Sequence, residues 1–284
     1  MHLNDYMREA RGRQQAIGHF NFATADVLRA IVVGARRAGA SCVMVGTSEK
    51  EADFIGITEA VALVRALEKE LSFPIFLNAD HFKSVERCTM AIDAGYDSVI
   101  IDTSRLSYEE NVAAVQAVVA HARACGRPVT VEGELGYLKG ASQVQEEISI
   151  SVEDYTQPAQ AADFITKTGV DRLAVVFGNI HGIVTKQEEK LDIEHFSRII
   201  AAAPQPFYVL HGASGLPDEQ IKAAIAAGVS NVHFNTELRV AYQKELKEEL
   251  AENPDETTPY KYLADAAAAV EEIVERKTRI FTNS

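Results

Sequence analysis

The chain has 284 residues, 47% of them hydrophobic, which suits one α/β barrel or two ordinary domains with a sizeable core. Its 41 acidic and 28 basic residues leave a net charge of −13, which argues against a nucleic-acid surface; an anionic ligand would need local help from a metal, arginine or backbone N–H groups. Three scattered cysteines, Cys42, Cys88 and Cys125, make neither a disulfide framework nor a Cys-based zinc site and read as free thiols. Residues 1–13 are polar and resemble neither a signal peptide nor a membrane span, and no later stretch reaches spanning length, so a cytoplasmic protein is expected.

Strand-like and helix-like segments alternate along the chain. Strands are predicted over 16–22, 42–47, 74–80, 98–102, 129–135, 172–177, 207–212 and 231–236, with amphipathic stretches such as 24–38, 57–70, 84–94, 108–125, 158–168, 192–202 and 217–227 between them. Eight βα units predict a (β/α)8 TIM barrel, a single domain over residues 1–284. A doubly wound sheet would want a Gly-rich turn after its first strand, and Phe20-Asn21-Phe22-Ala23 offers none. Residues 139–155 lack periodicity and follow the fifth strand, so they are expected to hang over the active-site edge as a mobile loop. Residues 260–281 form an extra C-terminal helix, placed under the barrel or against a second subunit.

The chemistry gathers at strand ends. His81 in Asn78-Ala79-Asp80-His81, His181 in Gly178-Asn179-Ile180-His181-Gly182, and His211 in His211-Gly212 each close an apolar run. In a barrel the C-terminal strand edge is where active sites lie, and three imidazoles suit a catalytic divalent metal, most often zinc. Asp80 and His81 are neighbours, so an extended backbone would turn them to opposite faces unless the strand ends there. Asp80 is then either a proton carrier beside the metal or an N-cap for the helix starting near Lys83. Asp102 ends the fourth strand, and Glu132 and Glu134 share a face of the fifth; each is either a site carboxylate or half of a buried ion pair. Gly212-Ala213-Ser214-Gly215 and Asn235-Thr236 follow the seventh and eighth strands, where such barrels cradle phosphate. His2, His121 and His195 read as terminal or helix-surface residues, and His19 as a possible core residue of the first strand.

Taken in order, Asp-His, Glu-Gly-Glu-Leu-Gly, Asn-Ile-His-Gly, His-Gly-Ala-Ser-Gly and Asn-Thr-Glu-Leu-Arg resemble the class II, metal-dependent ketose-bisphosphate aldolases over essentially the whole chain. The resemblance implies that His81, His181 and His211 hold a catalytic Zn²⁺. Asp80 would carry the proton of the substrate's C4 hydroxyl, and Asp102 and Glu134 would serve a second or alternate divalent site. It further implies that Gly182, Gly212, Ser214, Asn235 and Thr236 surround the dihydroxyacetone-phosphate half, with Ser48 and Arg239 near the distal phosphate. A monovalent cation held by backbone carbonyls, a homodimer or homotetramer, and a sugar phosphate substrate belong to the same implication. Zinc would act as a Lewis acid on the developing enediolate, with no lysine Schiff base. The 139–155 segment would close over the site, with Glu146 or Glu147 handling the proton of the enediolate carbon.

Two positions depart from the family pattern. His233 stands where relatives have Asn beside the enediolate; alternation puts it with Asn235 on the substrate face, as a donor whose charge changes near neutral pH. Tyr260 in Pro259-Tyr260-Lys261-Tyr262 replaces an Arg that reaches the distal phosphate, leaving Arg239, Ser48 and Lys261 for that end. Fructose 1,6-bisphosphate is the first expectation. Tagatose 1,6-bisphosphate, sulfofructose 1-phosphate and a deoxy-keto acid phosphate are the alternatives. A zinc hydrolase would want a His-x-His after the first strand, which is missing. A non-enzymatic sugar-phosphate sensor would not need Asp80 and all three histidines.

Overall fold

The computed structural model describes residues 1–187 and 189–283. Helix α1 (Leu3–Gly12) is followed by β1 (Ile17–Asn21), α2 (Ala25–Arg37), β2 (Val43–Ser48), α3 (Glu49–Ile55), α4 (Ile57–Leu71), β3 (Ile75–Phe82), α5 (Val85–Ala94), β4 (Ser98–Ile101), α6 (Tyr108–Ala124) and β5 (Thr130–Leu135). Then come β6 (Gly140–Gln145), α7 (Pro158–Thr168), β7 (Arg172–Val175), β8 (His181–Val184), α8 (Ile193–Ala202), β9 (Phe207–Leu210), α9 (Asp218–Ala227), β10 (Val229–His233), α10 (Thr236–Glu252), α11 (Pro259–Tyr262) and α12 (Ala264–Thr282).

Eight of these strands close a parallel barrel in the order β1-β10-β9-β7-β5-β4-β3-β2, which is the predicted TIM barrel. The strands are short apolar runs sealed on the outside by helices, so both faces are buried. Serines start several of those helices: Ser48, Ser84 and Ser107 accept from the backbone N–H of Glu51, Arg87 and Glu110. The cap of α5 is thus Ser84 and not Asp80, which frees Asp80 for chemistry.

Three segments differ from the sequence-based expectation. Residues 3–12 are helical and plug the barrel's N-terminal end, where Leu3 and Met7 pack with Ile17, Cys42, Met44 and Phe207. The segment after β5 is not a loose loop: β6 pairs in parallel with β8, which begins at His181. His195 is buried, because α8 packs against the chain before α7 and its Nε2 donates to the Thr156 carbonyl at 2.8 Å. The C-terminal α12 packs on α2 and α10 and sends Phe281 against Phe20 of β1. Among the described residues, no helix is long and apolar enough to cross a membrane.

Candidate active site

A cavity of about 380 Å³ opens at the C-terminal edge of the barrel. Among the residues expected from sequence, its lining includes Ser48, Asp80, His81, Asp102, Glu134, His181, Gly182, His211, Gly212, Ser214, His233, Asn235, Thr236 and Arg239.

Strand β3 brings Asp80 and His81 to this mouth by an unanticipated device. The strand does not end at Asp80; it runs on to Phe82, and its pairing with β4 shifts register between Ala79 and Phe82. His81 sits in that bulge with φ of +53°, a conformation unfavourable for a non-glycine residue. The bulge lets two consecutive side chains share one face. Such strain persists where the surroundings fix it, often at functional sites.

The three histidines are not equivalent. His81 Nε2 faces His211 Nδ1 at 3.0 Å. The ring of His181 lies 4.9 Å from that of His81 and 6.3 Å from that of His211, centroid to centroid, so it borders the pair. Among the described residues the compact donor groups at the mouth include Asp80, His81 and His211, and His81, Asp102 and Glu134. His81 Nδ1 lies 3.3 Å from Asp102 Oδ2 and 3.2 Å from Glu134 Oε2. Buried Asp80 Oδ1 and Glu134 Oε2 have no hydrogen-bond partner among the described residues. Facing imidazole nitrogens beside orphaned carboxylate oxygens are a fitting donor set for a divalent transition metal.

Electrostatics sorts these groups. Burial penalises the charge of Asp80, but the imidazoles of His81, His19 and His211 and a hydrogen bond from Asn21 Nδ2 overcome it and hold the carboxyl at about 2. Burial also opposes charge on His81, yet Asp80, Asp102 and Glu134 raise it well above the usual imidazole value. His181 is held well below that value by burial and by its histidine neighbours.

Glu132 and Glu134 share a face of β5 as expected and then part ways. Glu134 borders the cavity. Glu132 is fully buried, with Oε1 at 2.7 Å from His211 Nε2 and Oε2 at 2.7 Å from Arg172, which is the buried ion pair weighed above.

His233 does line the cavity, but its nitrogens are engaged within the protein. Nε2 lies 3.1 Å from Asn231 Oδ1 and Nδ1 lies 3.2 Å from Asp80 Oδ1, while the ring stacks on His19 with centroids 3.7 Å apart. Burial, His211 and Arg172 push its pKa well below the usual value, so the expected change of charge near neutral pH does not arise there.

The loops expected from sequence to cradle phosphate are formed. Gly212 at φ +72° and Gly182 at φ +93° each sit where a Cβ would strike a backbone oxygen, Ile180 O at 1.8 Å and Ala141 O at 2.2 Å. Only glycine allows that approach. Asn235 precedes the first turn of α10, and its buried Oδ1 lacks a partner among the described residues. Thr236 meets Ser142 of β6 at 3.0 Å, and Arg239 donates to the Ser142 carbonyl, so the β6 flap rests on this end of the cavity. Glu146 and Glu147 are exposed and outside the lining; Glu146 pairs with Lys186 at 2.7 Å. Tyr260 is 79% exposed and, like Lys261, which pairs with Glu256, lies outside the lining.

The sequence reading missed three cations of the lining, Lys50, Lys83 and Arg105. They follow β2, β3 and β4, and only their position after strand ends could have marked them. It also missed Arg172, whose signal was a charged residue opening the apolar run Arg172-Leu173-Ala174-Val175.

The whole chain, residues 1–284, matches the family described as Fructose-bisphosphate aldolase class-II. It is 34% identical over 285 residues to a protein of Bacillus subtilis (strain 168) named Probable fructose-bisphosphate aldolase, covering 99% of this chain and 97% of that one. It is equally 34% identical to a Geobacillus stearothermophilus protein named Fructose-bisphosphate aldolase, covering 99% and 96%. Among solved structures, the YdjI aldolase from Escherichia coli K12 is similar with a TM-score of 0.84 and 29% identity, covering 98% of this chain and 96% of that one. Fructose-bisphosphate Aldolase (Fba) from Campylobacter jejuni has a TM-score of 0.80 at 21% identity, covering 98% and 93%, a likeness of fold alone.

Proposed function

The chain belongs to the class-II fructose-bisphosphate aldolase family and is a lyase, and from that premise we propose that it cleaves fructose 1,6-bisphosphate reversibly to dihydroxyacetone phosphate and glyceraldehyde 3-phosphate, with zinc as its metal. The observation that carries this reading is the facing pair His81 and His211, at 3.0 Å, beside an ionised Asp80. His81, His211 and His181 would hold the metal, with Asp102 and Glu134 available to a second divalent ion. When bound, the metal would supply a Lewis acid that lowers the energy of the charge developing on the three-carbon fragment.

The chain's own groups do the rest. Asp80 takes the C4 hydroxyl proton as the C3–C4 bond breaks and returns it in condensation. Asn21 fixes its carboxylate by donating to Oδ2 at 2.9 Å. The loop around Gly212 and Ser214, with Asn235 and Thr236 at the start of α10, offers a helix N-terminus to the phosphate of the three-carbon half. Lys83 and Arg105 stand across the mouth, after β3 and β4 on the opposite side of the barrel from β9 and β10, and Lys50 follows β2, which β1 separates from β10. None of them pairs with a carboxylate among the described residues, which supports their holding a second anionic group. The β6 flap, resting on Thr236 and Arg239, shields this end from water.

The distal end supports a second reading. With Tyr260 outside the cavity, that end has separate cations and Ser48, so tagatose 1,6-bisphosphate, sulfofructose 1-phosphate or a deoxy-keto acid phosphate is the alternative substrate. The same reading includes a cytoplasmic homodimer or homotetramer. Product formation from this panel, with and without chelator, tests it. Turnover of fructose 1,6-bisphosphate that chelator abolishes and zinc restores is expected; turnover indifferent to exhaustive metal removal refutes the metal mechanism.

A further inference from the structure

Arg172 opens β7 inside the barrel, fully buried and in register with Glu132 of β5. Barrel interiors are ordinarily filled by branched apolar residues, and a buried guanidinium persists only when its donors are matched. Here four strands supply partners for the two terminal nitrogens, while Nε has none among the described residues. Nη1 lies 2.7 Å from both Asn231 Oδ1 and Glu132 Oε2, and Nη2 meets Asn78 Oδ1 at 3.1 Å and the hydroxyl of Ser98.

Two of those partners lead on to the site. Glu132 reaches His211 Nε2 through its other oxygen at 2.7 Å. Asn231 donates through Nδ2 to the Ile17 carbonyl at 2.8 Å, which fixes the amide and leaves Oδ1 to accept from Arg172 and from His233 Nε2. His233, with its ring proton given to Asn231, sets Nδ1 against Asp80 Oδ1 at 3.2 Å without donating to it, and stacks on His19, which is itself held by Asn78 Nδ2 at 3.1 Å.

We propose that Arg172 is a positioning residue that registers the His211 imidazole and the Asp80 carboxylate in one frame, through Glu132 on one leg and Asn231–His233 on the other. This inference rests on the aldolase reading for the roles of His211 and Asp80. A planar fork of five donors can serve both legs at once, whereas a lysine ammonium can serve the carboxylate but not hold both amides in plane. A residue that merely filled the core would stabilise the barrel without separating these two legs.

The legs can be cut separately. Purified Arg172→Met, Arg172→Lys and Asn231→Ala proteins are compared with the parent for melting temperature, for Zn²⁺ affinity by chelator competition, and for kcat and KM on fructose 1,6-bisphosphate. Arg172→Met cuts both legs: Zn²⁺ affinity should weaken about 10- to 100-fold, as for other residues behind a metal ligand. Its kcat should fall roughly 100-fold at nearly constant KM. Asn231→Ala cuts only the Asp80 leg, so kcat falls while Zn²⁺ affinity holds. Arg172→Lys keeps a cation paired with Glu132, so Zn²⁺ affinity stays near the parent's and kcat is low. Should Arg172→Met fail to fold, the other two variants decide. Lower melting temperatures with unchanged kcat and Zn²⁺ affinity, or equal loss of Zn²⁺ affinity in Asn231→Ala and Arg172→Met, overturn the proposal. A parent protein that binds zinc without cleaving the bisphosphate counts against that substrate, and the Zn²⁺ contrast between these two variants still decides the His211 leg.

Discussion

His233 turns Nδ1 to within 3.2 Å of Asp80 Oδ1 while its ring lies on that of His19, centroids 3.7 Å apart and 8° from parallel. The ring is therefore a wall for the carboxylate proposed to carry the proton. His233→Ala should lower kcat by about 10- to 100-fold, the scale of a misplaced catalytic group. His233→Asn, whose amide can donate to Asp80, should recover much of that loss. Because burial and the neighbouring His211 and Arg172 hold this imidazole well below its usual pKa, the Asn variant should keep the parent's pH profile between about 5.5 and 7.5. Parental kinetics with a lower melting temperature in the Ala variant would mark the ring as purely structural.

Asp80→Ala should lower kcat by roughly 10²–10⁴, the range for one positioned acid or base. Its melting temperature should change little, because Ser84, not Asp80, caps α5. A large drop in stability with modest kinetic loss contradicts the assignment. With its carboxyl held at about 2, Asp80 contributes no acid limb to the activity profile above pH 4.

His81 carries a pKa raised well above the imidazole norm; burial lowers it, but Asp80, Asp102 and Glu134 outweigh burial. In the metal-free protein this ring keeps its proton past pH 6.5, and a metal must displace that proton. Zinc affinity should therefore rise with pH through neutrality, and calorimetry in buffers of different ionisation heat should register proton release. Affinity flat from pH 6 to 8 contradicts the assignment of His81 as a ligand.

Glu189 is buried, and its Oε1 accepts from the backbone N–H of Ile180 at 2.9 Å, with no cation paired to it among the described residues. Burial raises its carboxyl to about 8. The folded state thus holds the proton more tightly than the unfolded chain. The stability this confers is fully present below about pH 4.3, the unfolded value, and is lost as pH rises through 8. Glu189→Gln should be free of that loss, so its melting temperature should gain on the parent's from pH 5 to 9. Parallel curves would show that the carboxylate is charged throughout.

The sequence by itself determined the barrel and the identity of the chemical groups. Apolar runs of four to six residues, closed by His, Gly or Asp, are dictated by burial on both faces, and local pattern suffices to read them. His81, His181, His211, Asp80 and the loops at Gly212 and Asn235 were legible because strand ends in such a fold converge. Tertiary structure decided what depends on partners distant in the chain. Gly140–Gln145 is polar and half-exposed, so nothing local marks it as a strand until β8 offers it hydrogen bonds. The bulge that turns Asp80 and His81 to one face is a register shift against β4, invisible in a single strand's pattern. Arg172 reads locally as a charge to be solvated. Only the closed barrel brings Glu132, Asn231, Asn78 and Ser98 around it, because a guanidinium that leaves water must find its donors' partners inside.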